Sequence, residues 1–325
     1  MKRHPMLRMC TKKAQNGDYH LQKMANGHVD MRELDTTDWR TVMEDSLLEK
    51  FDGDDGPLWR VSFLPNVRYE PVIEEDMPGI TSYPHECICV FAFHHIVTDG
   101  PSYARMFALF MKFVGKLLNN EEPKVASMSM LPPLDLYMDE VIQGKWYHHV
   151  LQLVLEMLCL IPGISGFMMR RMYGGNAFTS KYGVEIQRNP HIQPRTKMIP
   201  VEFTKVETSN VLKMCKEHKA TVQGAVQTAA GVAMVTMLEA EKHEVESNVT
   251  VNVRPFLKSK VPHEYAGAYF LLLQSKNLIV SSPDANTFWS MATQASSDLH
   301  ARLNKNEHFQ LWTKMKAHEG WSAER

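Results

Sequence analysis

The stretch HHIVTDG, residues 94–100, points most directly to a fold and to a chemistry in this sequence. It follows an uninterrupted apolar run, CICVFAF at residues 87–93, whose length is typical of a strand buried on both faces. Gly100 allows a sharp turn without a Cβ clash, and Pro101 fits the first turn of a helix over residues 101–119. The pattern therefore predicts a strand, a tight turn and a helix, with two histidines where the strand ends.

His95 is a candidate general base within this stretch. A neutral imidazole is available near pH 7 to take a proton from a hydroxyl or an amine, and a strand would hold the backbone of His95 in place. The alternative is a core histidine with satisfied hydrogen bonds, and the short pattern alone leaves both interpretations open. Asp99 also has two interpretations, because it can orient the histidine or pair with a distant arginine.

We expect no metal site at the adjacent histidines. Successive side chains of a strand point to opposite faces, so His94 and His95 cannot easily share an ion. Cys87 and Cys89 share a face, but only His85 lies close by to add a ligand. All five cysteines are scattered, which argues against a disulfide framework, and we expect buried thiols in a reducing compartment.

Length and charge narrow the class of protein. A chain of 325 residues usually forms more than one compact core, so two domains are expected. The 36 basic and 37 acidic residues balance, which argues against a nucleic-acid partner. No apolar segment follows the charges of residues 1–5 as it would in a signal peptide, so we expect a cytoplasmic protein.

The remaining elements follow from periodicity and capping residues. Thr204 with Glu207 has the spacing of a capping box, and Thr221 can cap the next helix. We predict a surface loop over 66–84 and further helices within 134–172, as well as the following segments: strands at 58–64, 198–203, 248–253 and 268–279, helices from 204 to 218, 221 to 238 and 283 to 303, and a weaker helix after 306.

Residues 150–169 form the most apolar segment of the chain. A core helix is the favoured interpretation, because a glutamate and a Pro-Gly pair interrupt the run. Peripheral contact with a membrane surface is the alternative.

Four segments in order resemble one superfamily. They are RHPMLR at 3–8, GPLWR at 56–60, HHIVTDG at 94–100, and NVRP at 252–255 with YAG at 265–267, where Ala268 replaces the usual asparagine. The sequence is similar to chloramphenicol acetyltransferase-like enzymes. This superfamily includes condensation domains of peptide synthetases, alcohol acyltransferases, and wax ester synthase/diacylglycerol acyltransferases.

The resemblance implies an α/β fold made of two similar halves, each an α+β two-layer sandwich, with the active-site tunnel between them. It places an N-terminal subdomain at residues 1–188, a linker at 189–197 and a C-terminal subdomain at 198–325. The chain begins and ends inside the family pattern, so the second half is expected to be incomplete.

The resemblance also implies roles for the motif residues. His95 deprotonates the acceptor, which attacks a thioester directly without an acyl-enzyme, and His94 and Gly100 complete the motif. Asp99 is structural and forms an ion pair across the halves with Arg254. No permanently bound cofactor is implied; acyl-CoA or a carrier-bound acyl thioester is the co-substrate.

Three residues are weaker candidates for walls of the tunnel. Trp59 can contact an acyl chain, with a core aromatic as the alternative. Ser102 and Tyr103 can line the tunnel mouth, but an ordinary helix start is the preferred interpretation.

The predicted function is an acyl-CoA-dependent O-acyltransferase acting on an alcohol. The PLW element and the apolar segment 150–169 favour this branch, with a lipid-like acceptor. Two alternatives remain open: a condensation enzyme that forms amides or esters from carrier-bound acyl groups, and an inactive binding protein that keeps the fold.

Overall fold

The computed structural model describes residues 1–65 except 16 and 18, then 67, 86–142, 150, 154, 157, 177–182 and 195–309. The loop predicted over 66–84, most of segment 150–169 and the chain after 309, including most of the last predicted helix, therefore lie outside the described residues. The chain forms two compact units that are not consecutive in sequence. The first comprises Met1–Tyr137, Arg195–Glu202 and Arg254–Tyr269, and the second Met138–Pro194, Phe203–Val253 and Phe270–Arg325.

The helices and strands confirm most of the sequence prediction. In chain order they are β1 (Met9–Lys13), β2 (Tyr19–Lys23), β3 (Asp30–Glu33), α1 (Trp39–Leu48), β4 (Trp59–Pro65), β5 (Cys87–Phe93), α2 (Gly100–Leu118), α3 (Leu134–Ile142), α4 (Ala177–Tyr182), α5 (Lys205–Glu217), α6 (Val222–Met237), β6 (Lys242–Asn252), β7 (Phe270–Val280) and α7 (Ala285–Asn304), with 3₁₀ turns at Pro5–Arg8 and Arg254–Phe256.

The sheet that carries the HHIVTDG stretch lies in the first unit, in the order β3-β4-β5. β4 is parallel to β3 and antiparallel to β5, with Trp59 opposite Phe93. Successive side chains of β5 point to opposite faces of the sheet, and both faces are covered. Val90 packs on the α1 side, and Phe91 and Phe93 pack toward α2. A short β1–β2 hairpin lies apart from this sheet.

β5 is less buried than its composition predicts. Cys87 and Cys89 are exposed, whereas Cys10 and Cys215 are buried. The expectation of a strand buried on both faces, with buried thiols, is therefore wrong for this end of β5. Among the described strands β5 pairs only with β4, so its other edge has no partner strand in that part of the chain.

The second unit packs helices on an antiparallel pair of strands. β6 and β7 pair over their full length from Lys242 opposite Val280 to Asn252 opposite Phe270, so β6 begins well before the predicted residue 248. The predicted capping box of Thr204 with Glu207 is present, and Thr221 caps α6. Helices α6 and α7 pack closely where Gly224 faces Ala292.

The strand predicted over residues 198–203 does not form. The Met198 backbone N–H donates to the Glu44 carboxylate at 2.9 Å, and Lys197 pairs with the same carboxylate. A side chain of α1 therefore takes the backbone donor that a strand partner would need.

The predicted boundaries at 188/189 and 197/198 stay a prediction. Residues 183–194 lie outside the described part of the chain, whereas Arg254–Tyr269 packs with the first unit rather than with the residues around it in sequence.

Across the described residues, no helix has both the length and the hydropathy that crossing a bilayer requires. Peripheral contact through 150–169 stays a prediction.

Candidate active site

His95 lies in the turn between β5 and α2, and its side chain is accessible. Its Nδ1 is 2.9 Å from the carbonyl oxygen of Thr98. A carbonyl oxygen only accepts hydrogen bonds, so this contact places the proton of the neutral ring on Nδ1. Nε2 then carries the lone pair, which is the arrangement that a general base requires.

The Thr98 carbonyl is held by a buried turn. Val97 and Thr98 are 0% and 7% exposed, and the Thr98 hydroxyl lies 3.0 Å from the Ser102 hydroxyl. Because the turn cannot shift without disturbing these buried groups, the ring of His95 has a fixed reference point at its Nδ1.

Asp99 caps helix α2 and closes a capping box with Ser102. Its Oδ1 accepts from the Ser102 backbone N–H at 3.1 Å, and the Ser102 hydroxyl accepts from the Asp99 N–H at 3.1 Å. A carboxylate is favourable at this position because the first N–H groups of a helix lack partners and carry partial positive charge.

Arg254 binds the same carboxylate with two nitrogens. Its Nη1 donates to Oδ2 of Asp99 at 2.7 Å and its Nη2 to Oδ1 at 3.2 Å. The two side chains are 1% and 2% exposed. The backbone N–H of Tyr269 adds a donor to Oδ2 at 3.0 Å. The ion pair that the resemblance implied is therefore present, and both residues belong to the first unit.

The electrostatic balance keeps Asp99 ionised. Burial acts to raise the pKa of Asp99, but the hydrogen bonds from Arg254 and Ser102 and the charge of Arg254 outweigh it. The net effect is a pKa below the ordinary value of an aspartate.

Arg254 also fixes the YAG segment. Its Nη2 donates to the carbonyl oxygens of Tyr265 and Gly267, at 3.0 and 3.3 Å. Gly267 has φ = +152°, and a Cβ there would lie 2.7 Å from the ring of Tyr269. The glycine is therefore required by both backbone conformation and space.

Comparison with solved structures identifies the fold. The first condensation domain of the CDA synthetase matches with a TM-score of 0.61 at 10% identity, over 95% of this chain and 65% of that one. Polyketide synthase associated protein 5 from Mycobacterium tuberculosis matches with a TM-score of 0.58 at 14% identity, over 95% and 65%. The epimerization domain of tyrocidine synthetase B gives 0.51 at 15% identity, over 92% and 62%. This chain has the condensation-domain fold.

The predicted α/β fold class is thereby confirmed. The chain spans 62 to 65% of the length of these three structures. Neither the family models nor the curated proteins compared with this chain give a match.

His94 occupies a different environment from His95 in this condensation fold. Its ring meets Phe51 edge-on at 6.1 Å, and its Nδ1 accepts from the backbone N–H of Ile96 at 3.2 Å. Within the described part of the chain, no group of three or more His, Cys, Asp or Glu side chains is placed to hold a metal ion.

Gly100 does not serve the purpose predicted for it. It is the first residue of α2, its φ lies outside the left-handed region, and a Cβ would meet no atom within 4 Å. The turn instead depends on the capping box of Asp99.

A cavity of about 580 Å³ lies between the end of α1 and β5 and reaches both histidines. Its walls come from the end of α1, the following residues and β5, and most are apolar: Met43, Leu47, Leu48, Phe51, Val90, Phe91, Ala92 and Phe93. Glu49 and Lys50 are the charged lining groups.

The three candidate tunnel residues are placed differently. Trp59 is buried, and its Nε1 donates to the Leu7 carbonyl at 2.9 Å. Tyr103 is 40% exposed, and with Trp59 it lines a second cavity of about 360 Å³. Ser102 is fully buried in the capping box, as at an ordinary helix start. A contact of these residues with substrate stays a prediction.

Two contributors to the site escaped the sequence analysis. The carbonyl of Thr98 orients His95, and the backbone N–H of Tyr269 completes the cradle of Asp99. Both are backbone groups, which any residue type supplies, so no pattern of side chains could reveal them.

Proposed function

We propose that His95 is the general base in the transfer of an acyl group from a thioester to a nucleophile. Nε2 of His95 takes the proton from the nucleophile as it attacks the thioester carbonyl. The carbon–sulfur bond then breaks, and the proton passes from Nε2 to the departing thiolate. The 2.9 Å contact between Nδ1 and the Thr98 carbonyl carries this proposal, because it presents the basic nitrogen on an accessible side chain.

Asp99 and Arg254 serve this chemistry as positioning residues. Their buried pair fixes the start of α2 and the turn that includes Thr98. The carboxylate of Asp99 is already occupied by Arg254, Ser102 and Tyr269. We therefore assign it no part in proton transfer, in contrast to a carboxylate that orients a catalytic histidine directly.

The condensation type of reaction is the preferred form. Two of the similar structures named above are domains of synthetases that carry the names condensation and epimerization. The nucleophile would then be an amine and the donor a carrier-bound acyl thioester. O-acylation of an alcohol by acyl-CoA is the second candidate, supported by the apolar walls of the cavity at His94 and His95.

Release of free thiol tests the proposal. The chain would be incubated with octanoyl-CoA or octanoyl-pantetheine and a panel of amines, aminoacyl thioesters and alcohols. We expect release that depends on the acceptor and falls about 10²- to 10⁴-fold in His95→Ala, the usual cost of losing a positioned acid–base group.

His28→Ala is the matched control. The Nδ1 of His28 also contacts a backbone carbonyl, that of Asn26 at 3.2 Å, but on an exposed loop. This variant should keep the rate of the unsubstituted chain. Equal rates in folded His95→Ala, or no release from the folded chain with any pair, would contradict the proposal. The acceptor that works decides between the amine and alcohol forms.

A further inference from the structure

The second cavity lies on the α2 side of the sheet, away from the turn of His95. Its walls are mainly aromatic and apolar, and they include Trp59, Phe91, Phe93, Tyr103, Phe107 and Phe110. The rings contact one another, with Phe91 meeting Phe110 at 5.4 Å and Phe93 meeting Tyr103 at 5.7 Å. Tyr103, Phe107 and Phe110 are nevertheless 39 to 44% exposed. Adjacent aromatic side chains left this accessible are typical of a surface that binds an apolar group.

One end of this cavity is polar. Lys2, Arg3 and His4 line it together with Met1. Arg3 lies 3.6 Å from the Glu264 carboxylate, so one acidic group faces two basic side chains. The polar end is therefore suited to a group of negative charge.

His4 is the unusual member of this end. It is only 4% exposed, and neither ring nitrogen has a hydrogen-bond partner among the described residues. Burial, followed by the charge of Arg3, lowers the pKa of His4 to about 4, so the ring is neutral at pH 7. A neutral imidazole has one N–H donor, and leaving it unpaired in a buried site is costly. A ligand with an acceptor atom would satisfy it.

We propose that this cavity binds a medium-chain fatty acid, with the carboxylate at His4, Lys2 and Arg3 and the chain among the aromatic rings of β5 and α2. The carboxylate accepts a hydrogen bond from the N–H of His4, which has no partner among the described residues, and the two basic side chains balance its charge. The volume of about 360 Å³ lies near the lower end of the usual range for ligand sites, which favours a medium over a long chain.

Calorimetric titration of the chain with sodium octanoate tests the site directly. The heat should fit one site, and 1-octanol, which has the tail but no carboxylate, should bind at least about tenfold more weakly, the loss expected for a hydrogen bond to a charged group. His4→Phe keeps a ring and removes both nitrogens, and it should weaken octanoate to a similar extent.

Two substitutions fill the cavity. Met106→Trp places an indole on α2 inside it, and Val125→Trp does so from the rim, where folding is less at risk because Val125 is 37% exposed. Both substitutions should abolish the heat of octanoate binding. Met111→Trp is the control, because Met111 lies on the same helix, is 52% exposed and is not among the lining residues. It should bind octanoate as the unsubstituted chain does.

Three outcomes would overturn the proposal. They are no heat from the unsubstituted chain, equal binding by the Val125→Trp and Met111→Trp chains with matching thermal transitions, and equal affinity for octanoate and 1-octanol. The readout is binding rather than thiol release, so its result is separate from that of the acyl-transfer assay.

Discussion

The candidate site depends most on Asp99, through the contacts of its carboxylate. Arg254→Ala would leave it buried without its counter-charge, and breaking a buried pair in this way typically costs about 3–5 kcal/mol. We expect a loss of that size in the free energy of unfolding, measured by urea denaturation.

Arg32→Ala is the matched control for this prediction. Arg32 also makes bidentate contacts to an aspartate, Asp30, but its side chain is 42% exposed. Exposed pairs contribute about 1 kcal/mol or less. Similar losses in the two variants would show that the Asp99 pair is not energetically special.

The acid stability of the chain should reflect Asp99. The pKa of Asp99 is lower in the folded chain than in the unfolded chain, where it is about 3.9. Its contribution to the free energy of unfolding is therefore fully present above the unfolded value and is lost as the pH falls toward the folded pKa. We expect the difference in unfolding free energy between the unsubstituted chain and Asp99→Asn to be constant from pH 7 to pH 5. It should shrink below about pH 4. A difference that shrinks already near pH 6 would contradict the assignment.

His4 affects the stability of the folded chain over a higher range of pH than Asp99 does. Its folded pKa of about 4 lies below the unfolded value near 6.5, so the unfolded chain binds more protons between these values and stability falls as the pH falls through them. His308, whose pKa is also lowered to about 4, acts in the same direction. His4→Phe should therefore gain stability relative to the unsubstituted chain between pH 6.5 and pH 4, as measured by thermal transitions. Parallel pH profiles would contradict this.

At the scale of elements, helix α2 links the second cavity to the turn of His95. Asp99 and Ser102 fix its first turn, and Phe107 and Phe110 face β5 from its second and third turns. Its start therefore serves the proposed acyl transfer, and its apolar face serves the proposed fatty acid site.

The contact between α6 and α7 requires a glycine. A Cβ on Gly224 would lie 2.7 Å from the Ala292 carbonyl oxygen and would also collide with the Ser296 side chain. Gly224→Ala should therefore cost about 1–3 kcal/mol of unfolding free energy, the usual effect of overpacking. Gly115→Ala, in α2 with nothing within 4 Å, should instead stabilise by up to about 1 kcal/mol. Chemical denaturation of both variants checks the opposite signs.

At the scale of the whole molecule, the first unit draws on distant parts of the chain. Arg254, Tyr265 and Tyr269 come from the segment Arg254–Tyr269, which packs with Met1–Tyr137. A fragment of residues 1–188 lacks this segment and leaves Asp99 without Arg254. We expect it to melt at a lower temperature than the full chain, or without a cooperative transition. A fragment that melts like the full chain would show that the segment adds little to the unit.

The sequence by itself predicted most of the elements from β4 onward, but not β1, β2, β3 or α1. The capping residues Thr204 and Thr221 act within one turn of helix, so local chemistry alone predicts where α5 and α6 begin, and Pro101 does the same for α2. The motif with its resemblance also predicted the Asp99–Arg254 pair, which is present, and a general-base role for His95, which stays a prediction. The helix starts depend on side-chain types at short spacing, and the ion pair and the role of His95 are predicted from the resemblance.

Only the tertiary structure decided which backbone groups bind residues distant in sequence and which surfaces stay exposed. The strand predicted over residues 198–203 does not form, because the backbone N–H of Met198 donates to Glu44, a residue far away in sequence. Cys87 and Cys89 are exposed because coverage of a strand depends on its neighbours and not on its own hydrophobicity. The tautomer of His95, and the lack of a partner for the ring of His4 among the described residues, follow from which groups the folded chain brings within hydrogen-bond distance. That is set by packing over the whole first unit.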